Sequence, residues 1–421
     1  MLRSNGLFKR SSIYLLSNIL NALVPFILLP VLTRYLSPDE YGQIAMFQML
    51  VTGLAALTGL NSVGAANRKY YDCNQESLPQ FNGTCVHILL ISSLCLVFFS
   101  ILLSDKVSQW LNIPIVWIYL AIIISSSNYI VQLRLGQWQI REKAFSFGIM
   151  QVSQSILVLI LSFFLIVWQK QGAAGRVDAL LATSIIYALF SLFLMYRDRL
   201  LQLFPLRKDF FKDALSFGVP LVPHVIGIFF LSSIDRFFIN QQLGISEAGI
   251  YMLAVQLSLG MAVVFDAINK ALIPWLFRAL ADKNPQQLQR LVKFTYLFFI
   301  TIFGLGGLSF IIGPWIVTWI AGEEYQRAST VIGWLCLGQA FSGMYLMVTN
   351  YLFYVKKTGY LSLVTISCGI LNVFLLIILM RLYGIVGVAM AFTISMFIRF
   401  ILTWWLTLLF GGISWKLSLN S

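Results

Sequence analysis

Leu36-Ser-Pro-Asp-Glu-Tyr-Gly42 and Leu243-Gly-Ile-Ser-Glu-Ala-Gly249 share a Leu-x-x-x-Glu-x-Gly frame at an offset of 207 residues. Each stretch leads from one apolar run into the next, the first after run 1 and the second after run 7. A second pair, Gly172-Ala-Ala-Gly175 and Gly384-Ile-Val-Gly387, recurs at an offset of 212 and closes the last hairpin of each half. Six runs is an even number, so the second half enters a membrane in the same orientation as the first. That is a parallel repeat about an axis along the membrane normal.

The rest of the chain supports a membrane reading. Its 421 residues are 59% hydrophobic and 11% charged, with a mean hydropathy of +0.84, where soluble domains carry roughly 25% charge. Apolar runs of spanning length, roughly 20 residues, fall at 12–33, 42–63, 84–103, 115–133, 146–168, 178–196, 214–239, 248–272, 294–313, 328–354, 360–380 and 387–410. The expected fold is therefore all-α, with twelve transmembrane helices. Residues 1–196 form an N-terminal lobe, 197–213 a cytoplasmic linker and 214–421 a C-terminal lobe. With the N-terminus cytoplasmic, 21 of the 29 Lys and Arg residues fall on the cytoplasmic side and 6 on the other. That asymmetry places both termini in the cytoplasm.

Other classes are disfavoured. The net charge of +13 is scattered between apolar runs and forms no stripe for nucleic acid. The five cysteines form no C-x-x-C, which suggests neither a disulfide framework nor a metal site. Residues 11–32 follow a basic flank but are too long for a signal peptide, and read as a retained first helix. Glu40 and Glu247 each sit in a first helical turn, where an acid complements the helix dipole. Their first reading is capping, and that of the Gly-x-x-Gly pairs is a tight reversal or a close helix approach.

Leu32-Thr-Arg-Tyr-Leu-Ser-Pro-Asp-Glu-Tyr-Gly42 resembles the signature after helix 1 of bacterial polysaccharide exporters, the Wzx-type O-antigen flippases. Ser232-Ser-Ile-Asp-Arg-Phe-Phe-Ile239, with Glu247-Ala-Gly-Ile-Tyr251, resembles their helix 7 to helix 8 signature. Gly322-Glu-Glu-Tyr325 with Ala328, and Tyr383-Gly-Ile-Val-Gly387, extend the resemblance over nearly the whole chain. It implies the superfamily shared with multidrug extruders and peptidoglycan-precursor flippases. That means two six-helix lobes around a central cavity lined by helices 1, 2, 7 and 8, rocking between inward-open and outward-open states. The implied substrate is an oligosaccharide repeat unit on polyprenyl pyrophosphate, carried to the periplasmic face of the inner membrane. No enzymatic step and no cofactor are implied. The two extra C-terminal helices of the peptidoglycan branch are missing.

Charge inside a membrane costs roughly 2.5 to 3.5 kcal/mol on insertion scales, which makes intramembrane charges functional candidates. Arg10, Arg68, Lys69, His224 and Lys270 would lie near the cytoplasmic mouth of the lined helices, where a pyrophosphate enters. For Arg10, Arg68 and Lys69 the alternative is simple topology; for Lys270 it is neutralisation by Asp266, four residues earlier. Asp235 and Arg236 match Arg34 in depth and would form an inter-lobe gate, or else cap and snorkel locally. Asp266 and Asp235 are the carboxylates on offer for proton or sodium coupling. Arg399 is an isolated charge with no assigned role. A multidrug cation antiporter is one rival reading and a membrane enzyme of polysaccharide assembly another. Partners would be membrane lipids, the lipid-linked substrate and a polysaccharide polymerase.

Overall fold

The computed structural model describes residues 2–72, 77–282, 284–355, 357–411 and Trp415. Among them every regular element is a helix. In chain order these are α1 (Leu2–Tyr35), α2 (Pro38–Leu57), α3 (Ser62–Asp72), α4 (Leu78–Leu111), α5 (Ile115–Ile140), α6 (Ala144–Phe163) and α7 (Gly172–Arg197). There follow α8 (Lys208–Gly218), α9 (Val222–Ser232), α10 (Asp235–Gln242), α11 (Ile245–Asp282), α12 (Pro285–Ile320), α13 (Ser329–Tyr354) and α14 (Thr358–Phe410).

Eleven helical stretches among the described residues are long and apolar enough to cross a membrane, and the longest crosses twice. Within α14, Gly384 has φ 59° and ψ −138°. A Cβ on Gly387 would lie 2.0 Å from the Leu379 carbonyl oxygen, although eight residues of continuous helix advance about 12 Å. The chain therefore doubles back between them, giving twelve passages. The first half repeats the device. Gly172 has φ +59°, and a Cβ on Gly175 would sit 3.1 Å from the Leu165 carbonyl carbon. Only glycine takes this left-handed turn at little cost.

The first repeat pair is also structural. Ser37 and Glu40 form a reciprocal capping box at the start of α2: Glu40 N donates to Ser37 Oγ at 3.3 Å and Ser37 N to Glu40 Oε2 at 3.0 Å. The glycines do something further. A Cβ on Gly42 would fall 2.1 Å from the Ile245 carbonyl oxygen, and one on Gly249 2.1 Å from the Pro38 carbonyl oxygen. The opening turns of α2 and α11 thus press glycine against backbone reciprocally, as in a contact with internal two-fold symmetry.

Two expected spans are broken. The second, expected over 42–63, runs as α2 and then α3, parted by a turn at Thr58–Asn61 in which Gly59 has φ 67° and Leu60 φ 47°. The seventh, expected over 214–239, begins already at Lys208 and runs as α8, α9 and α10, with Pro220 and Pro223 at its first break. Proline removes the amide that would continue the ladder. Helix therefore takes up the end of the stretch 197–213, leaving 198–207 between α7 and α8. By contrast α1 passes unbroken through Pro25 and Pro30, and α11 runs 38 residues without interruption.

The break at Thr58–Asn61 falls within the candidate membrane span Pro38–Tyr71, so its backbone groups need partners inside the protein. Ser92 Oγ accepts from Gly59 N at 2.9 Å, and Ser62 Oγ donates to Gly59 O at 2.6 Å. Thr58 and Ser125 hydroxyls meet at 3.0 Å, and the Tyr129 hydroxyl bonds Ser62. A Cβ on Gly59 would strike the Tyr129 ring at 2.1 Å. We expect Gly59→Ala to destabilise the protein by about 1–3 kcal/mol, from backbone strain and overpacking together. A thermal melt of the purified protein that matched wild type would refute this.

Packing divides the chain into two units, 1–229 with 244–249, and 230–243 with 250–421. The second has a large aromatic core in which Phe299 meets Phe400 and Trp404 edge to face, Trp404 meets Trp415 likewise, and Phe400 stacks on Trp404. Outward faces stay apolar, as lipid contact requires. Trp168, Trp315 and Trp319 are 75%, 78% and 83% exposed at the ends of the fifth and ninth passages. Amphipathic indoles of this kind collect at membrane interfaces.

Candidate functional site

The ionisable residues singled out above fall into separate local groups. Arg68 and Lys69, on the last turns of α3, both bind Asp213 of α8, at 2.7 and 2.6 Å. Arg68 also covers the Phe217 ring, and Lys69 lies over the rings of Phe81 and Phe210. These two cations therefore fasten α8 to the first unit. Lys270 lies 2.6 Å from Asp266 one turn earlier on α11, each side chain nearly half exposed. His224 is half-buried on α9. Arg10 belongs to α1, but its side chain lies outside the described residues.

Asp235 and Arg236 are both buried, at 6% and 8% exposure. They serve the second break in the seventh passage. Asp235 Oδ1 accepts from Arg236 N at 2.8 Å, and Arg236 Nη1 donates to the Ser232 carbonyl at 3.2 Å. Arg34 is exposed at the end of α1.

Among the described residues no carboxylate pairs with Arg399. Its guanidinium lies 3.8 Å over the Tyr345 ring and Nη2 donates to Thr365 Oγ1 at 3.3 Å. Cation–π contact strengthens where water is excluded, which makes this an adequate structural seat. Buried amides complete the polar interior of the second unit. Asn350 donates to Asn269 at 2.7 Å, and Asn372 to the Phe230 carbonyl at 3.1 Å.

Two arrangements escaped the sequence reading. Arg134 on α5 is fully buried, pairs with Asp198 just past α7, and lies 4.3 Å over the Trp138 ring. Burial alone would raise the Asp198 carboxyl, but the Arg134 hydrogen bond and charge, with Arg197 beside it, hold it below the usual carboxylate range. The second is a cavity of about 380 Å³ inside the first unit, between α1, α5, α6 and α7. Asn21, Asn128, Gln132, Gln151, Gln154, Ser155 and Arg176 supply its polar lining. Arg176 is one of the six basic residues that the topology count sets on the side opposite the cytoplasm, and that count hid it. The helical phase of Ala173, Arg176, Val177 and Leu180 was the available signal, since the first three are buried.

Residues 7–280 match a family described as polysaccharide biosynthesis protein. The chain belongs to that family. Among its relatives, one from the Lsg locus of Haemophilus influenzae is 28% identical over 374 residues, covering 87% of this chain and 88% of the relative. The probable low-salt glycan biosynthesis flippase Agl15 of Haloferax volcanii is 22% identical, covering 93% and 82%. In fold it is similar to the lipid II flippase MurJ in an inward closed conformation. The TM-score is 0.72 at 16% identity, over 96% of this chain and 87% of MurJ. The chain is thus a multi-pass membrane protein whose fold is similar to that of MurJ.

Proposed function

We propose that the protein is a flippase that carries an oligosaccharide repeat unit, linked through pyrophosphate to a polyprenol, from the cytoplasmic to the periplasmic face of the bacterial inner membrane. The observation that carries this reading is family membership in polysaccharide biosynthesis in a chain that is membrane-spanning throughout. Flipping requires polar space for a glycan inside apolar surroundings, and the amide-lined cavity of the first unit is such a space. An O-antigen or similar surface polymer is the proposed product, with both termini cytoplasmic and a polymerase as the downstream partner.

In this scheme, lobes 1–196 and 214–421, joined through 197–213, alternate access between the two faces. Lys270, His224, Arg68, Lys69 and Arg10 attract the pyrophosphate. Arg68 and Lys69 would have to exchange Asp213 for phosphate, and Lys270 to release Asp266. Asp235, Arg236 and Arg34 form the outer gate, and Asp266 or Asp235 couples transport to protons or sodium. Deleting the gene should abolish surface polymer and leave complete lipid-linked repeat units on the cytoplasmic face, both reversed by the wild-type gene. Normal polymer with altered resistance to cationic compounds would sink the reading in favour of a multidrug extruder.

A further inference from the structure

From the cavity of the first unit we infer a binding site for an acidic sugar, a pyranose bearing one carboxylate. The inference rests on the flippase reading and names a substrate feature for it. Its volume of about 380 Å³ is at the lower end of small-molecule sites. The polar groups of its lining are amides, one hydroxyl and one guanidinium, with no carboxylate among them.

Arg176 decides the charge. It is 8% exposed, and Nη1 donates to Ser162 Oγ at 2.6 Å. Among the described residues no carboxylate lies within ion-pair distance of it. Its buried Nε makes no hydrogen bond. Nε and Nη2 form the other edge of the guanidinium, the edge that grips a carboxylate with two parallel hydrogen bonds. A buried cation without a counter-ion is costly, and an anionic ligand removes that cost.

The remaining lining suits a sugar ring. Gln151 Oε1 is buried without a hydrogen-bond donor, while Ser155 Oγ is already committed to Asn21 Oδ1. Amide side chains offer donors and acceptors together, matching hydroxyls that are both. Cationic solutes find no counter-charge here. The site therefore selects an acidic, hydroxyl-bearing residue over a neutral one through Arg176, and reads hydroxyls through the amides.

Calorimetric titration of the purified full-length protein tests this with glucuronate, its neutral isostere glucuronamide, and chloride as probes. Wild type should bind glucuronate at least tenfold more tightly than glucuronamide. Arg176→Gln should erase that preference, Arg176→Lys should keep part of it, and Gln151→Leu should weaken both sugars alike. Equal binding of the two sugars, an unchanged preference in Arg176→Gln, or equal competition by chloride would each overturn the site. Should Arg176→Gln not fold, the Lys and Leu variants still decide. Proteoliposomes separate a sugar on the lipid carrier from a free solute. In the first case Arg176→Gln slows flipping of acidic lipid-linked oligosaccharides and spares neutral ones. Equal flipping of both by this variant overturns the inference alone, whereas failure of wild type to flip either sinks the flippase reading itself.

Discussion

Gly249→Val should abolish complementation of a deletion strain and lower the melting temperature of the purified protein. A Cβ there meets the Pro38 carbonyl oxygen at 2.1 Å, and its partner glycine meets Ile245 in the same way. Backbone atoms cannot rotate aside as a flexible side chain can, so the first turns of α2 and α11 must separate. Overpacking of this kind costs about 1–3 kcal/mol. Gly42→Val should reproduce the phenotype, because the two contacts are symmetry mates. A double variant should cost less than the sum, since one separation relieves both clashes. Wild-type activity in either single variant would show that the glycine contact is dispensable.

The second large effect is expected at Asp198. Its carboxylate faces Arg134, whose side chain is 0% exposed, and Arg197. Asp198→Ala would leave Arg134 buried without its counter-ion, a loss that reaches about 3–5 kcal/mol for buried pairs. Asp198 is itself 24% exposed, so the lower end of that range is expected. Adding Arg134→Leu should recover part of the loss, because the double variant buries no uncompensated charge. If the double variant melted lower than Asp198→Ala, the pair would not be the source of the effect. The pH dependence has a definite sign. The folded Asp198 pKa lies below the ordinary value of about 3.9, so its contribution is complete above that pH and disappears as pH falls through the depressed value. The difference in melting temperature between wild type and Asp198→Asn should hold from pH 7 to 5 and shrink only below about pH 4.

Hydropathy and parity made the twelve passages and the parallel repeat legible, because lipid forbids exposed backbone polar groups and rewards continuous apolar helix. Gly172 and Gly384 could be matched as a pair from sequence alone. The breaks were harder. Nothing in Thr58-Gly-Leu-Asn61 announces a left-handed turn inside an apolar run until Ser62, Ser92 and Tyr129, distant in sequence, are seen to satisfy it. Charges were the least legible. Topology counting treats every basic residue near a span end as solvated, which suits Arg34 but misplaces Arg134 and Arg176. Their settings depend on which face of α5 and α7 they occupy, and on a partner such as Asp198 that lies 64 residues away from Arg134.

The division into units has a consequence for how the protein is made. Residues 244–249 pack with the first unit, although 230–243, which precede them, pack with the second. Vectorial synthesis therefore cannot finish the N-terminal unit when its own helices have been inserted. At about 5–20 residues per second, the stretch from 230 to 249 imposes a wait of roughly 1–4 s. During that wait the Pro38–Gly42 turn has no partner backbone. The nascent chain would spend those seconds as an incomplete unit already in the bilayer, a window in which a membrane chaperone or protease would meet it.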